Sequence, residues 1–172
     1  MTINSEDLDR LIYLPVLRSR QAELKGYEML RSETKAGIIP VISLGNLGKI
    51  RDSTRVLDAV NDRVGRAFVD LNLYSNQACD DVEDLVNPDN HYEAWRMRIR
   101  DAGDNLLPVP IIVESAPLRD FVRQVSLIER DYGVVVLRSR NPTRDQRKLE
   151  TAISAVDDPD NVFVVLDFGY IR

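Results

Sequence analysis

Six short apolar runs, rich in β-branched residues, recur at residues 12–18, 38–44, 66–73, 109–114, 134–138 and 162–168, with stretches of helical character between them. Parallel strands need a long crossover between them, normally a helix, so this alternation predicts repeated strand-helix units and a parallel sheet. The first intervening stretch, 21–31, carries Leu24, Tyr27, Met29 and Leu30 among charges. The second places Ile50, Leu57, Val60 and Val64 close to a helical period, with Val56 flanking that stripe. The longest connection, 75–105, is split by Asn87-Pro88-Asp89-Asn90 and predicts two helices. Ser115-Ala116-Pro117 and Asn141-Pro142 each offer a capping side chain shortly before a proline, which predicts helix starts directly after the fourth and fifth strands. No linker or low-complexity segment divides the 172 residues, so residues 1–172 read as one β/α domain.

The pentapeptide Val-Leu-Arg-Ser-Arg occurs at residues 16–20 and again at 136–140, closing the first and fifth apolar runs. Those two strands stand opposite each other if eight parallel strands close into a barrel. The expectation is a parallel β/α array, TIM-barrel-like, with about six of the eight strand-helix units. An open doubly wound sheet, with reversed strand order and helices on both faces, is the alternative. The repeat is either a remnant of internal symmetry or a coincidence between common residue types. The final run has no covering helix after it, which predicts the N-terminal part of a longer barrel and self-association through an uncovered terminal strand.

Side chains alternate across a strand, so residues two apart share a face. Arg18 and Arg20 go with Val16, Asp70 and Asn72 with Phe68, Glu114 with Ile112, Arg138 and Arg140 with Val136, and Asp167 with Val165. All lie near the carboxyl ends of predicted strands, where parallel α/β folds bind their ligands. Paired arginines grip planar anions through forked hydrogen bonds. The set therefore predicts a binding site for a phosphorylated or nucleotide-like ligand, or for a protein partner, with no cofactor required and no catalytic residue assigned. The alternative is a Mg²⁺-dependent phosphodiesterase-like hydrolase in which Asp70, Glu114 and Asp167 hold the metal. A third reading has arginines and carboxylates simply neutralising one another as a structural ionic network.

Composition narrows the rest. A net charge of -5 argues against a protein held to nucleic acid by bulk charge. One cysteine, Cys79, and one histidine, His91, exclude an internal disulfide and give no zinc-ligand spacing, which suits a reducing compartment. The N-terminal Met1-Thr2-Ile3-Asn4-Ser5-Glu6-Asp7 is polar and acidic where a secretory signal would be basic and then apolar, and no run approaches a membrane span; the expected location is the cytoplasm. Gly45-Asn46-Leu47-Gly48-Lys49 has two residues between its glycines instead of the four of a P-loop, and Ile50 follows the lysine, so a tight strand-to-helix turn is expected there. Arg96, Arg98 and Arg100 spread around a helix and belong to a solvated face, while Trp95 belongs to the core.

The opening Tyr13-Leu14-Pro15-Val16-Leu17-Arg18-Ser19-Arg20-Gln21-Ala22-Glu23-Leu24, followed by Ile38-Ile39-Pro40-Val41-Ile42, resembles the start of the beta protein family of phage and bacterial genomes. Phe68-Val69-Asp70-Leu71 and Val165-Leu166-Asp167-Phe168-Gly169 continue the likeness, and Ala22 departs from it where a glycine is common. The resemblance implies a barrel-like α/β protein about twice this length, of uncharacterised activity, tied to phage or mobile elements. It supplies no catalytic residue.

Overall fold

The computed structural model describes residues 10–74 and 76–168. Its elements alternate as the apolar runs require: β1 (Val16–Arg18), α1 (Gln21–Glu28), α2 (Ser32–Lys35), β2 (Val41–Leu44), α3 (Ser53–Val64), β3 (Ala67–Leu71), α4 (Val82–Leu85), α5 (Glu93–Ala102), β4 (Leu106–Pro108), α6 (Leu118–Tyr132), β5 (Val135–Ser139), α7 (Pro142–Ile153) and β6 (Val162–Leu166). Every strand pair is parallel, in a four-stranded sheet of order β1-β2-β3-β4 and a two-stranded sheet of order β5-β6. Within each sheet the order follows the chain without reversal. The fold class is parallel α/β.

Alternation along the strands sorts the core into layers. Ile42, Leu44, Val69, Leu71 and Leu106 pack with Leu24, Val56, Leu57, Trp95 and Ile99, which come from α1, α3 and α5. Val135 and Leu137 meet Phe121, Val125 and Leu149 of α6 and α7 in the same way. The opposite face of both sheets contributes to one shared cluster: Val41, Phe68, Leu107 and Val136 are buried there, with Phe163 and Val165 against them. Helices thus cover one side of the strands while the other sides share an inner core. On β6, Val164 and Leu166 remain 44% and 49% exposed, as does Phe168 beyond it at 70%.

The two sheets separate at a place where the backbone has no donors to give. Val109 N donates to Val69 O at 2.7 Å, so odd-numbered amides in this segment point to β3. The alternate positions, which would point to the next strand, are Pro108 and Pro110. Ile111 N turns away to Gln124 Oε1 at 3.0 Å. This also moves the fourth strand: residues 109–114 were expected to form it, and it lies at Leu106–Pro108. The first and second strands are shorter than expected for a related reason, since Pro15 and Pro40 interrupt their entry, leaving only the isolated Tyr13–Ile38 bridge upstream.

Helix starts follow the expected chemistry in one case and not in another. Asn141 accepts from Arg144 N at 3.2 Å and Pro142 opens α7. At α6 the cap position is Pro117 itself and no side chain caps it, so Ser115 does not serve. The stripe on α3 is Val56, Leu57 and Val60, all fully buried; Val56 is central to it, and Ile50 lies before the helix in a turn bridged to Leu47.

Phe68, 1% exposed, is the largest of the buried side chains in the core shared by the two sheets. Truncating it leaves a cavity that both sheets line. Phe68→Ala is expected to cost about 3–5 kcal/mol, measured by denaturant unfolding.

Candidate functional site

The polar site is built by the same alternation that makes the inner core. Two residues beyond Phe68 on its face is Asp70, two beyond Val136 is Arg138, and two beyond Val165 is Asp167, so a charged layer caps the apolar one. Arg138 Nη1 donates to Asp70 Oδ2 at 2.6 Å and its Nη2 to Asp167 Oδ2 at 2.5 Å. Arg140 Nη2 also reaches Asp70 Oδ2, at 2.5 Å, and donates to Leu71 O at 3.2 Å and Ser43 Oγ at 3.4 Å. The Arg138 and Asp70 side chains are only 7% and 8% exposed, so each buried charge depends on its partners, Arg138 on Asp70 and Asp167, and Asp70 on Arg138 and Arg140. Arg138 Nε is buried with no hydrogen-bond partner among the described residues.

The amino-terminal arginines are held differently. Glu23, in the first turn of α1, accepts from Arg18 N at 2.6 Å and from Arg18 Nε at 2.7 Å. Among the described residues Arg18 Nη1 and Nη2 make no hydrogen bond, and the side chain is 39% exposed. Arg20 is exposed and donates from Nη2 to Gln77 Oε1 at 3.2 Å. Asn72 is buried; its Oδ1 accepts from Tyr74 N at 3.0 Å and turns the chain out of β3. Arg18, Asn72, Arg138, Arg140 and Asp167 line one cleft of about 620 Å³. A smaller cavity of about 260 Å³ opens beside it, with Asp70, Arg138, Arg140 and Arg144 on its wall.

Glu114 is not brought to this group. The backbone has left the pleat after Pro108 and Pro110, and the Glu114 side chain, 74% exposed, bonds Arg144 Nη1 at 2.9 Å. Asp70 and Asp167 are joined through Arg138 instead of through a cation. Among the described residues no three acidic, histidine or cysteine side chains are gathered as metal ligands. Of the three carboxylates proposed for Mg²⁺, Asp70 and Asp167 anchor an arginine in this arrangement and Glu114 lies apart from them, on Arg144.

The structure adds residues that strand patterning did not single out. Tyr74 lines both cavities, 61% exposed, with the Arg140 guanidinium 6.0 Å from its ring centre. It follows Asp70 and Asn72 at the same spacing of two, which was the available signal. Ser19 and Ser139, the serines of the two pentapeptides, are both buried. Ser19 Oγ donates to Gly45 O and accepts from Gly45 N, each at 2.8 Å, while Ser139 Oγ bonds Asp145 Oδ2 at 2.8 Å. A Cβ on Gly45 would stand 2.3 Å from Gln77 O, so this position must be glycine for the loop after β3 to pack on the end of β2. That loop contact, Asn46 N to Gln77 O at 2.8 Å, is what the glycine-rich segment serves.

The remaining singular residues are structural. Trp95 is fully buried and its Nε1 donates to Val109 O at 3.0 Å. Arg98 bonds Asp81 at 2.6 Å and also Ser53, fixing α5 to the start of α3. His91 Nδ1 lies 3.1 Å from Asp120 Oδ1. Cys79 is 2% exposed, and its thiol is pushed up to about 12 by burial first and then by Asp81, Asp52 and Asp80. No described helix is long and apolar enough to cross a membrane.

The model of the family described as Beta protein matches residues 13–172. The chain belongs to the beta protein family. Protein beta of Enterobacteria phage P4 is 32% identical to it over 162 residues, covering 93% of this chain and 45% of that protein. The chain thus spans about half the length of the curated relative it matches. No solved structure matches. The beta family resemblance read from the strand motifs is shown by these matches, and the phage association with it.

Two measurements check the site as described. Arg138→Ala removes the bridge between Asp70 and Asp167 and leaves the buried Asp70 to Arg140, and is expected to destabilise the beta family fold by about 1.5–3 kcal/mol in chemical unfolding, the range of a hydrogen bond to a charged group. Cys79 carries almost no thiolate at pH 8, so iodoacetamide labelling should wait on global unfolding; rapid labelling of the native protein would contradict the buried thiol.

Proposed function

We propose that this beta family chain is a TIM-barrel-like, cytoplasmic binding protein that takes a phosphorylated small molecule at the carboxyl ends of its strands. Sequential strand order, helices on one side and an inner core shared by both sheets support the barrel reading. The observation that carries the ligand reading is the half-used state of the arginines. Glu23 occupies only the Nε edge of Arg18, leaving its terminal fork of two nitrogens unbonded among the described residues. Arg140 spends only Nη2 on Asp70, Leu71 and Ser43, and Arg20 only Nη2 on Gln77. Glu23 and Asp70 orient the Arg18 and Arg140 guanidinium groups without saturating them, which is the preorganisation that anion recognition needs. A cleft of about 620 Å³ falls in the range that small ligands fill.

Arg138 is the anchor in this reading, with both terminal nitrogens committed to Asp70 and Asp167. Arg18 and Arg140 are the grips. Removing Arg140 leaves Asp70 paired with Arg138, so the fold should survive the change. Titration calorimetry with inorganic pyrophosphate compares the wild-type chain with Arg18→Ala/Arg140→Ala, and thermal unfolding confirms that both are folded. Binding should weaken by at least about tenfold in the double variant, given what charged hydrogen bonds contribute. Equal affinity in the two proteins, or no binding to the wild type, overturns the assignment.

A further inference from the structure

Tyr74 gives the cleft a feature that a phosphate alone does not use. Tyr74 is 61% exposed at the wall of both cavities, where its ring is open to a ligand. Its position is fixed from two sides. Asn72, itself buried, accepts from the Tyr74 amide, and Gly45 lets Gln77 close down on the end of β2. Arg140 lies over the ring, at 6.0 Å from its centre, and reaches back to Asp70. One residue thus links the ring to the charged layer.

We infer that Tyr74 is a stacking platform for an aromatic base and that the ligand of this cleft is a nucleoside phosphate, the base lying on Tyr74 and the phosphates on Arg18 and Arg140. The inference rests on the anion site proposed above and adds the chemical class of what the anion is attached to. The arrangement suits a base for three reasons. A planar base can stack offset on the tyrosine ring, whose backbone amide is held by Asn72. The cation beside the ring favours a polarisable face-on partner. Gln77 spends its Oε1 on Arg20 and keeps its Nε2 unbonded among the described residues, a donor suited to a ring nitrogen or carbonyl of a base. A protein partner would also use tyrosine and arginine, but across a broad surface, whereas Tyr74 stands in a concave cleft of small-molecule size.

The test uses two probes that differ by the nucleoside, ADP and pyrophosphate, on wild type, Tyr74→Ala and Tyr74→Phe, by calorimetry. ADP should bind the wild type more tightly than pyrophosphate. Tyr74→Ala should weaken ADP about tenfold while leaving pyrophosphate within about twofold, and Tyr74→Phe should retain ADP affinity, because stacking needs the ring and not the hydroxyl. If pyrophosphate binds through Arg18 and Arg140 but ADP gains nothing over it, or if Tyr74→Ala moves both probes equally, the base platform is overturned and the anion site stands. A protein-docking role for Tyr74 belongs to that outcome. If neither probe binds the wild type, both readings fall together.

Discussion

Arg138 holds together two sheets that strand pairing does not join. It leaves β5 and bonds Asp70 on β3, in the four-stranded sheet, while its second terminal nitrogen bonds Asp167, which follows β6. Burying a guanidinium and a carboxylate costs each its hydration, and the mutual attraction roughly repays it, so such a bridge adds little net stability over an apolar pair. What it adds is position. With Pro108 and Pro110 withholding donors between the sheets, the inner apolar cluster sets their separation and the ion bridge sets which side chains meet above it.

The site's legibility follows from the same period of two. On β3, β5 and β6 the step from Phe68 to Asp70, Val136 to Arg138 and Val165 to Asp167 crosses from apolar layer to polar layer without leaving the pleat, so a face assignment made from sequence alone gathers residues that touch in the fold. Glu114 fails because that argument assumes a strand that continues, and here two prolines end it. Their spacing was present in the sequence and is a better guide than the apolar character of residues 111–113. Asp70, Arg138 and Asp167 also show the limit of patterning. It placed them on one face, and only the structure tells a shared arginine from a shared cation, because both need carboxylates that converge.

Tyr74 and the loop that follows illustrate a different limit. Side chains beyond the last paired residue of a strand are placed by turn chemistry, which depends on contacts distant in sequence. The Asx turn at Asn72 is local and readable, but the closeness of Gln77 O to Gly45 joins segments more than thirty residues apart. A glycine that reads as a generic turn former turns out to serve an approach between two loops. The segment has two residues between its glycines where a P-loop has four, and it serves the site indirectly, by seating the loop after β3.

The repeated pentapeptide can be weighed in the same terms. Both copies end a strand paired in parallel with the next one, both bury the serine, and both direct the first arginine to the inner face. Their partners differ. Arg18 is held by Glu23 from its own following helix, through Nε, while Arg138 is held by Asp70 and Asp167 from two other strands, through both terminal nitrogens. The serines diverge in the same sense, Ser19 tying β1 to Gly45 beyond β2 and Ser139 tying β5 to Asp145 in α7. The backbone role belongs to the pentapeptide, and the side-chain role to whatever carboxylate its neighbours supply. An acid on the adjoining helix meets the arginine from the side and leaves its fork open; acids on facing strands meet it head-on and close it. One motif thus yields an open grip at the end of β1 and a closed lock at the end of β5, and the cleft between them has an anchored wall and an unsatisfied one.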